Sequence, residues 1–266
     1  MFKKLLNTIP RPLLIRLSRF GQPFLDLFYR GNRFVDPING QSYRKFLPYG
    51  YVNLRENALS PGTLSLERHR LLWLYLQRET DFFKKSYKVL HVAPEQAFYK
   101  RLKKLPNLDY TTTDLHSPLA DIKADITNLP FEDNSFDVIF CNHVLEHIPD
   151  DTKAMQELFR VMKPGGWGIF QIPIDESRAT TFQDDSITDP EERTRIFGQY
   201  DHVRVYGLDY YNKLKSVGFE VEAVDFTQTL IPEDIKKYAL VPGEKLPVVR
   251  KPKTKKMATY NRQPFF

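Results

Sequence analysis

Between residues 88 and 174, short apolar runs alternate with helical patterns, and this alternation constrains the fold more than any other feature. Val89 to Val92 is an apolar run of the kind expected of a strand buried on both faces. Pro94 suits the first turn of a helix, where its missing N–H would have no partner anyway. From about Glu95 the spacing predicts a helix with Phe98, Leu102 and Leu105 on one face. Leu108 to Thr113 reads as the next strand and ends at Asp114; Phe136 to Cys141 is a further buried strand. Asp151 to Met162 is an amphipathic helix, with Met155, Leu158 and Met162 at helical spacing. The run Lys163-Pro164-Gly165-Gly166 stops it, and Gly168 to Ile174 follows as a strand. Leu208, Tyr211, Leu214 and Val217 mark a later helix ended by Gly218. Phe219 to Phe226 and Leu246 to Arg250 complete the strands. Strands alternating with helices imply an α/β fold, a parallel sheet with helices on both faces.

Asp114 lies 22 residues past Val92. An acid about that far beyond the first strand of a doubly wound fold can hydrogen-bond a ribose diol. The turn after that strand, Ala93-Pro94-Glu95-Gln96-Ala97, contains no glycine. A pyrophosphate needs glycines there for close backbone approach. A cationic ligand does not, and Glu95 would attract one, although the same acid also suits a helix N-terminus.

Five segments occur in a telling order: Lys88-Val89-Leu90-His91-Val92; Tyr110-Thr111-Thr112-Thr113-Asp114-Leu115; Ala124-Asp125-Ile126-Thr127-Asn128-Leu129-Pro130-Phe131; Phe136 through His143-Val144-Leu145-Glu146-His147-Ile148; and Val161-Met162-Lys163-Pro164-Gly165-Gly166-Trp167-Gly168. The series resembles the class I S-adenosylmethionine (SAM) dependent methyltransferases of the type 11 kind. The resemblance implies a Rossmann-like, seven-stranded sheet with helices on both faces and a small N-terminal accessory segment. It implies SAM as cofactor, held by His91, Ala93 and Glu95 near the first turn and by Asp114 at the ribose. Asp125 and Ile126 would border the adenine, with Asn142 and His143 under the methionine part. Local alternatives stand beside these roles: Asp125 can cap the turn at Thr127 and Asn128, and His143 can pack against the first strand.

An alcohol or phenol acceptor would need a base. His143, His147 and His202 are candidates, with His143 and His202 the catalytic assignments. Residues 175–205 are rich in acids and poor in apolar side chains, as expected of a loop or lid. The resemblance places a substrate-covering insertion here, with His202 and Arg204 facing the acceptor; the alternative is that they tether the insertion by hydrogen bonds. The helix predicted over Leu66 to Arg78 puts Leu66, His69, Trp73 and Leu76 on one side. Glu67, Arg68 and Arg70 read as a solvated face. In the resembling fold this helix covers the cofactor pocket, which makes Arg68 a binding candidate.

Asp36-Pro37-Ile38-Asn39 and Ser60-Pro61-Gly62-Thr63 resemble metal knuckles whose cysteines have been replaced. A structural zinc site wants thiolates or imidazoles, so Asp36, Asn39, Ser60 and Thr63 are expected to hold no zinc, and no metal is expected elsewhere. The only cysteine, Cys141, excludes an internal disulfide and reads as a small buried hydrophobe.

Charge is unevenly placed. Residues 1–34 carry seven Lys/Arg and one Asp, and residues 245–266 carry seven Lys/Arg and no acid, while the whole chain is only +6. The middle is therefore acidic, which argues against a nucleic-acid cleft. The basic N-terminus also carries Leu5, Leu6, Ile9, Leu13, Leu14, Leu17, Phe20, Phe24, Leu25 and Phe28, interrupted by Pro10, Pro12 and Pro23. No run there is long enough to span a bilayer. It reads either as a segment docking on anionic lipid or as a cap on the core. The expected division is a basic apolar segment over 1–34, a ribbon-like lobe with cap helix over 35–80, the methyltransferase domain over 81–250 and a basic, disordered tail over 251–266. The expected protein is cytoplasmic, with lipid docking placing it on the inner face of the membrane. Its acceptor is a small molecule or a lipid-linked glycan precursor. The rivals are an rRNA or tRNA methyltransferase and a SAM-binding protein without catalysis.

Overall fold

The computed structural model describes residues 21–50 and 54–253. Its centre is a seven-stranded sheet: β1 (Tyr87–Val92), β2 (Leu108–Asp114), β3 (Ile122–Lys123), β4 (Phe136–Cys141), β5 (Met162–Ile169), β6 (Glu220–Val224) and β7 (Leu246–Arg250). The spatial order is β6-β7-β5-β4-β1-β2-β3. The first five strands pair in parallel. The expectation of a wholly parallel sheet needs correction at one edge, because β7 runs antiparallel to both β5 and β6. Antiparallel neighbours can be joined by a chain that simply returns, whereas parallel ones need a crossover.

Alternation along the strands builds a core on each face. Val89, Val138 and Phe140 point to one side, where they meet Leu71, Leu72 and Leu74 of α1 (Glu67–Arg78) and Phe98 of α2 (Gln96–Leu102). Leu90, Val92, Ile139 and Cys141 point to the other. There they meet Met155 and Leu158 of α3 (Asp151–Val161) and Leu214 of α5 (Tyr210–Val217). The insertion between β5 and α5 carries α4 (Pro190–Phe197), started by the Asp189 cap and ended at the left-handed Gly198. Asp150 caps α3 by accepting from the Lys153 N–H.

Three boundaries differ from the sequence expectation. The helix over 151–162 ends at Val161, and β5 starts at once with Met162 instead of Gly168. Met162 pairs with Phe136 and Trp167 with Val138, so Lys163 to Gly166 form a bulge inside the strand. The strand expected over Phe219 to Phe226 is Glu220–Val224; Phe226–Thr229 is a 3-10 turn whose N–H at Thr227 is capped by Asp225. Pro94 precedes α2 and its cap, Glu95, instead of standing in the first turn.

Before the sheet lies a lobe of two hairpins, Arg30–Asp36 with Gln41–Tyr43 and Leu47–Tyr49 with Arg55–Leu59. Three of the four knuckle positions converge. The buried Asp36 carboxylate accepts hydrogen bonds from the hydroxyls of Ser60, Thr63 and Ser65 and from the Ile38 N–H. Asn39 turns away to the Tyr43 hydroxyl. The lobe is joined to the sheet domain by Arg70, which is fully buried. Its guanidinium donates to the carbonyls of Ala58, Ser65, Tyr238 and Ala239. Glu67 is also buried and pairs with Arg55 at 2.9 Å. The solvated face expected for Glu67 and Arg70 is therefore corrected: both are turned into polar joints between lobe and domain. Residues 1–20 and 254–266, with most of the lipid-docking segment and the tail expected to be disordered, lie outside the described residues.

Candidate functional site

The carboxyl ends of β1, β2 and β4 meet at one edge of the sheet, where open α/β folds take their ligands. Two non-glycine residues follow β1 and β4 in the left-handed region: Ala93 at φ 49° and His143 at φ 53°. Both are held there by backbone bonds, Ala93 N–H to the Thr113 carbonyl at 2.8 Å and His143 N–H to the Gln171 carbonyl at 2.7 Å. Left-handed backbone costs a residue with a Cβ on the order of 1–2 kcal/mol, and such strain concentrates at functional turns. The missing glycine of the first turn is thus replaced by an alanine that takes the same backbone shape.

Asp114 ends β2. Its Oδ1 accepts the N–H groups of His116 and Ser117 at 2.7 and 2.6 Å. Both bonds fall on one oxygen and pin the carboxylate. Asp125 is exposed and accepts from the N–H and hydroxyl of Thr127, both at 2.8 Å, the capping alternative raised from sequence. Ile126 is buried beside it.

Glu95 is the hub of the first turn. His69 Nδ1 accepts the Leu66 N–H, so its hydrogen sits on Nε2, which donates to Glu95 Oε1 at 2.9 Å. His91 Nε2 and Asn142 Nδ2 each stand 3.3 Å from Glu95 Oε2, and His91 Nδ1 meets the Tyr110 hydroxyl at 2.7 Å. Burial pushes the Glu95 carboxyl up, but the two imidazoles outweigh it and hold the group well below the usual carboxylate range. Burial lowers His69, which cannot gain a second proton without losing the Leu66 bond. Of the predicted cofactor residues, the fold thus gathers His91, Glu95 and Asn142 into one network, while His69, read from sequence as a packed residue, completes it.

The predicted acceptor-side residues gather around the turn Leu145–His147. His202 is buried and its Nδ1 donates to the Phe197 carbonyl at 3.1 Å. The rings of His202 and His147 lie edge to face at 4.7 Å. His143 Nδ1 stands 3.3 Å from Glu146 Oε1. Arg204 is fully buried; its guanidinium donates to the carbonyls of Leu145, Ile148 and Pro149 and to Gln183. Those contacts are the tethering alternative raised from sequence, and they hold in place the loop that carries Glu146 and His147. Arg68 is half-buried, and its Nε has no hydrogen-bond partner. The Thr113 hydroxyl near the end of β2 is likewise buried without a hydrogen-bond partner. A separate cavity of about 510 Å³ lies between the lobe and α2, lined by Asn39, Gly62, Lys100 and Arg101 among others. None of the predicted cofactor residues borders it.

The family model for the methyltransferase domain matches residues 76–170. That stretch of the chain is similar to the methyltransferase domain family. It runs from the end of α1 through β5 and holds every predicted cofactor residue. A demethylmenaquinone methyltransferase of Staphylococcus saprophyticus is 44% identical over 55 residues, 21% of this chain and 23% of that protein. The sterol 4-C-methyltransferase strm-1 of Caenorhabditis elegans is 47% identical over 45 residues, 17% of this chain and 14% of that protein. The chain thus spans less than a quarter of the length of either relative. A solved S-adenosylmethionine dependent methyltransferase from Mesorhizobium loti aligns over 68% of this chain and 98% of that one, at 16% identity and TM-score 0.46.

Proposed function

We propose that the protein transfers a methyl group from SAM to a small-molecule or lipid-linked acceptor. The observation that carries the reading is the pinned Asp114 carboxylate at the end of β2, next to the strained Ala93 turn, within a methyltransferase domain. SAM supplies an activated methyl on a sulfonium. The protein's share is alignment of the acceptor and exclusion of water. In this reading Asp114 binds the ribose, Ile126 borders the adenine and Arg68 takes the carboxylate. Glu95 acts on the cofactor through the position of Asn142, and its negative charge favours a cationic ligand. His143, half-exposed and set by its left-handed backbone, faces the acceptor and accepts its proton.

The names of the two relatives, a demethylmenaquinone methyltransferase and a sterol 4-C-methyltransferase, support a lipophilic acceptor here. So do Phe24, Leu27 and Phe28, exposed at helical spacing at the described start of the chain. Among the described residues no helix is long and apolar enough to cross a membrane. Calorimetry with SAM is the test. Asp114→Ala should lose about 1–3 kcal/mol of binding, as for a hydrogen bond to a charged group. Equal affinity of the two proteins would remove the assignment.

A further inference from the structure

Glu146 is an anomaly. It is 1% exposed, neither carboxylate oxygen accepts a well-aligned hydrogen bond, and His143 Nδ1 stands 3.3 Å from Oε1. A buried carboxylate without an aligned hydrogen bond is costly, and native structures keep such groups for a reason. Arg204 and Val203 use the carbonyls of this turn, not its acid: Arg204 donates to Leu145, and the Val203 N–H to the Glu146 carbonyl at 3.0 Å. The fold therefore holds the Glu146 backbone firmly, while the carboxylate itself has only the His143 contact.

Besides His143, two further imidazoles stand around that carboxylate. One ligand atom each from Glu146, His147 and His202 lie within 4.8 Å of one another. The outer contacts of the two rings set their tautomers. His202 Nδ1 meets the Phe197 carbonyl at 3.1 Å, and His147 Nδ1 meets the Asp201 carbonyl at 3.3 Å and its carboxylate at 3.4 Å. A carbonyl can only accept, so each Nδ1 carries the hydrogen and each neutral ring presents a lone pair on Nε2. Metal-bound histidines are oriented in this way, with the far nitrogen donating to a carbonyl or carboxylate.

We propose that Glu146, His147 and His202 form a binding site for one divalent first-row transition-metal ion, such as zinc or cobalt. Two imidazoles and a carboxylate are the donor set such ions take, whereas magnesium and calcium favour oxygen alone. Ligands about 2.0–2.2 Å from an ion stand roughly 3–4 Å apart, so the side chains draw together slightly on binding. The backbone needs no rearrangement, because Arg204 already ties the two segments. Three protein ligands leave positions for oxygen ligands, and His147 is the partly exposed member through which the ion enters. Under the methyl-transfer reading, an acceptor oxygen on the ion would be deprotonated more readily. Glu146, His147 and His202 lie apart from the cysteine-free turns around Asp36, on which no metal is expected.

The test uses the untagged full-length chain, stripped with chelator and titrated with cobalt chloride, zinc chloride and magnesium chloride. Calorimetry should give one site for zinc and cobalt, and cobalt should develop visible absorption bands of a low-coordinate site. Magnesium should bind at least tenfold more weakly. The near-isosteric Glu146→Gln, and His147→Gln at the partly exposed position, should each weaken cobalt binding at least tenfold while the thermal unfolding transition is retained. His116→Ala, outside the cluster, should leave it unchanged. Absence of stoichiometric binding in the parent protein, or binding untouched by both substitutions, overturns the proposal. SAM titration of the stripped protein is read separately: SAM binding without metal binding rejects only this site, and metal binding without SAM binding rejects only the methyl-transfer reading.

Discussion

His69 Nε2 donates to Glu95 Oε1 across 2.9 Å, a bond that ties α1 to the turn after β1. Its strength comes from the other end of the ring, where the Leu66 N–H fixes the tautomer. Glu95 also gathers His91 and Asn142, so one carboxylate positions three elements.

Glu95→Ala should therefore cost about 2–4 kcal/mol, because it strands buried donors that water cannot reach. Glu95→Gln should cost less, since an amide oxygen still accepts. Urea unfolding of the three proteins measures this. A loss below about 1 kcal/mol for the alanine variant would show that the network is incidental.

Much of this arrangement was legible in the sequence. β1, β2, β4, α3 and α5 each bury a face, and burial leaves a periodic trace in residue type. The place of Asp114 at the end of β2 was legible from the strand-forming run that precedes it. The Glu95 hub was only half legible: the acid was marked, but its partner His69 stands 26 residues earlier on another element, and no spacing rule joins them. Arg204 shows a different limit. A guanidinium suggests an anion from its identity alone, while its actual partners are the carbonyls of Leu145, Ile148 and Pro149, visible only once the chain is folded. Arg70 misled for the same reason. The residues just before it in sequence are polar, but Tyr238 and Ala239, far along the chain, take its guanidinium N–H groups.

Ala93 offers a test of backbone strain. At φ 49° its Cβ is unfavourable. Glycine removes that cost but adds chain entropy to the unfolded state. Ala93→Gly should leave stability within about 1 kcal/mol of the parent, on the stabilising side, whereas the β-branched Ala93→Val should lose about 2 kcal/mol or more. Thermal unfolding of both variants decides it; equal effects of glycine and valine would mean that the turn relaxes freely.

The N-terminal lobe should depend on Asp36. Its carboxylate accepts three hydroxyls and one N–H in a fully buried setting, where a thiolate-bound ion would otherwise cross-link the two turns. Asp36→Ala should destabilise the lobe by about 3–5 kcal/mol, as for a buried charged group whose partners are left behind. Hydrogen exchange should localise the loss to residues 30–65, with β1, β4 and β5 still protected. Uniform loss of protection across the sheet would show that lobe and domain unfold as one unit.

Glu244 gives the clearest pH dependence. Burial pushes its carboxyl up to about 7; Arg68 offsets this, Glu67 adds to it, and Arg55 and Arg70 offset it further. Its Oε1 accepts from Gln171 Nε2 at 3.3 Å, and the Gln171 carbonyl holds the His143 N–H, so the group reports on the site as well as on the fold. The folded protein keeps a proton that the unfolded chain releases above its ordinary value of 4.5. Between those two values the native state binds more protons than the unfolded state, and stability falls as pH rises. Below pH 4.5 the group is neutral in both states and costs nothing; above pH 7 it is charged in both, and the full penalty stands, roughly 3 kcal/mol. Glu244→Gln cannot ionise, so its stability relative to the parent should rise through this window and then level off. Urea midpoints for both proteins at pH 4.5, 5.5, 6.5 and 7.5 measure the difference. Parallel pH profiles would mean that Glu244 ionises at its ordinary value and that its neighbours, Arg68 first, neutralise the cost of burial.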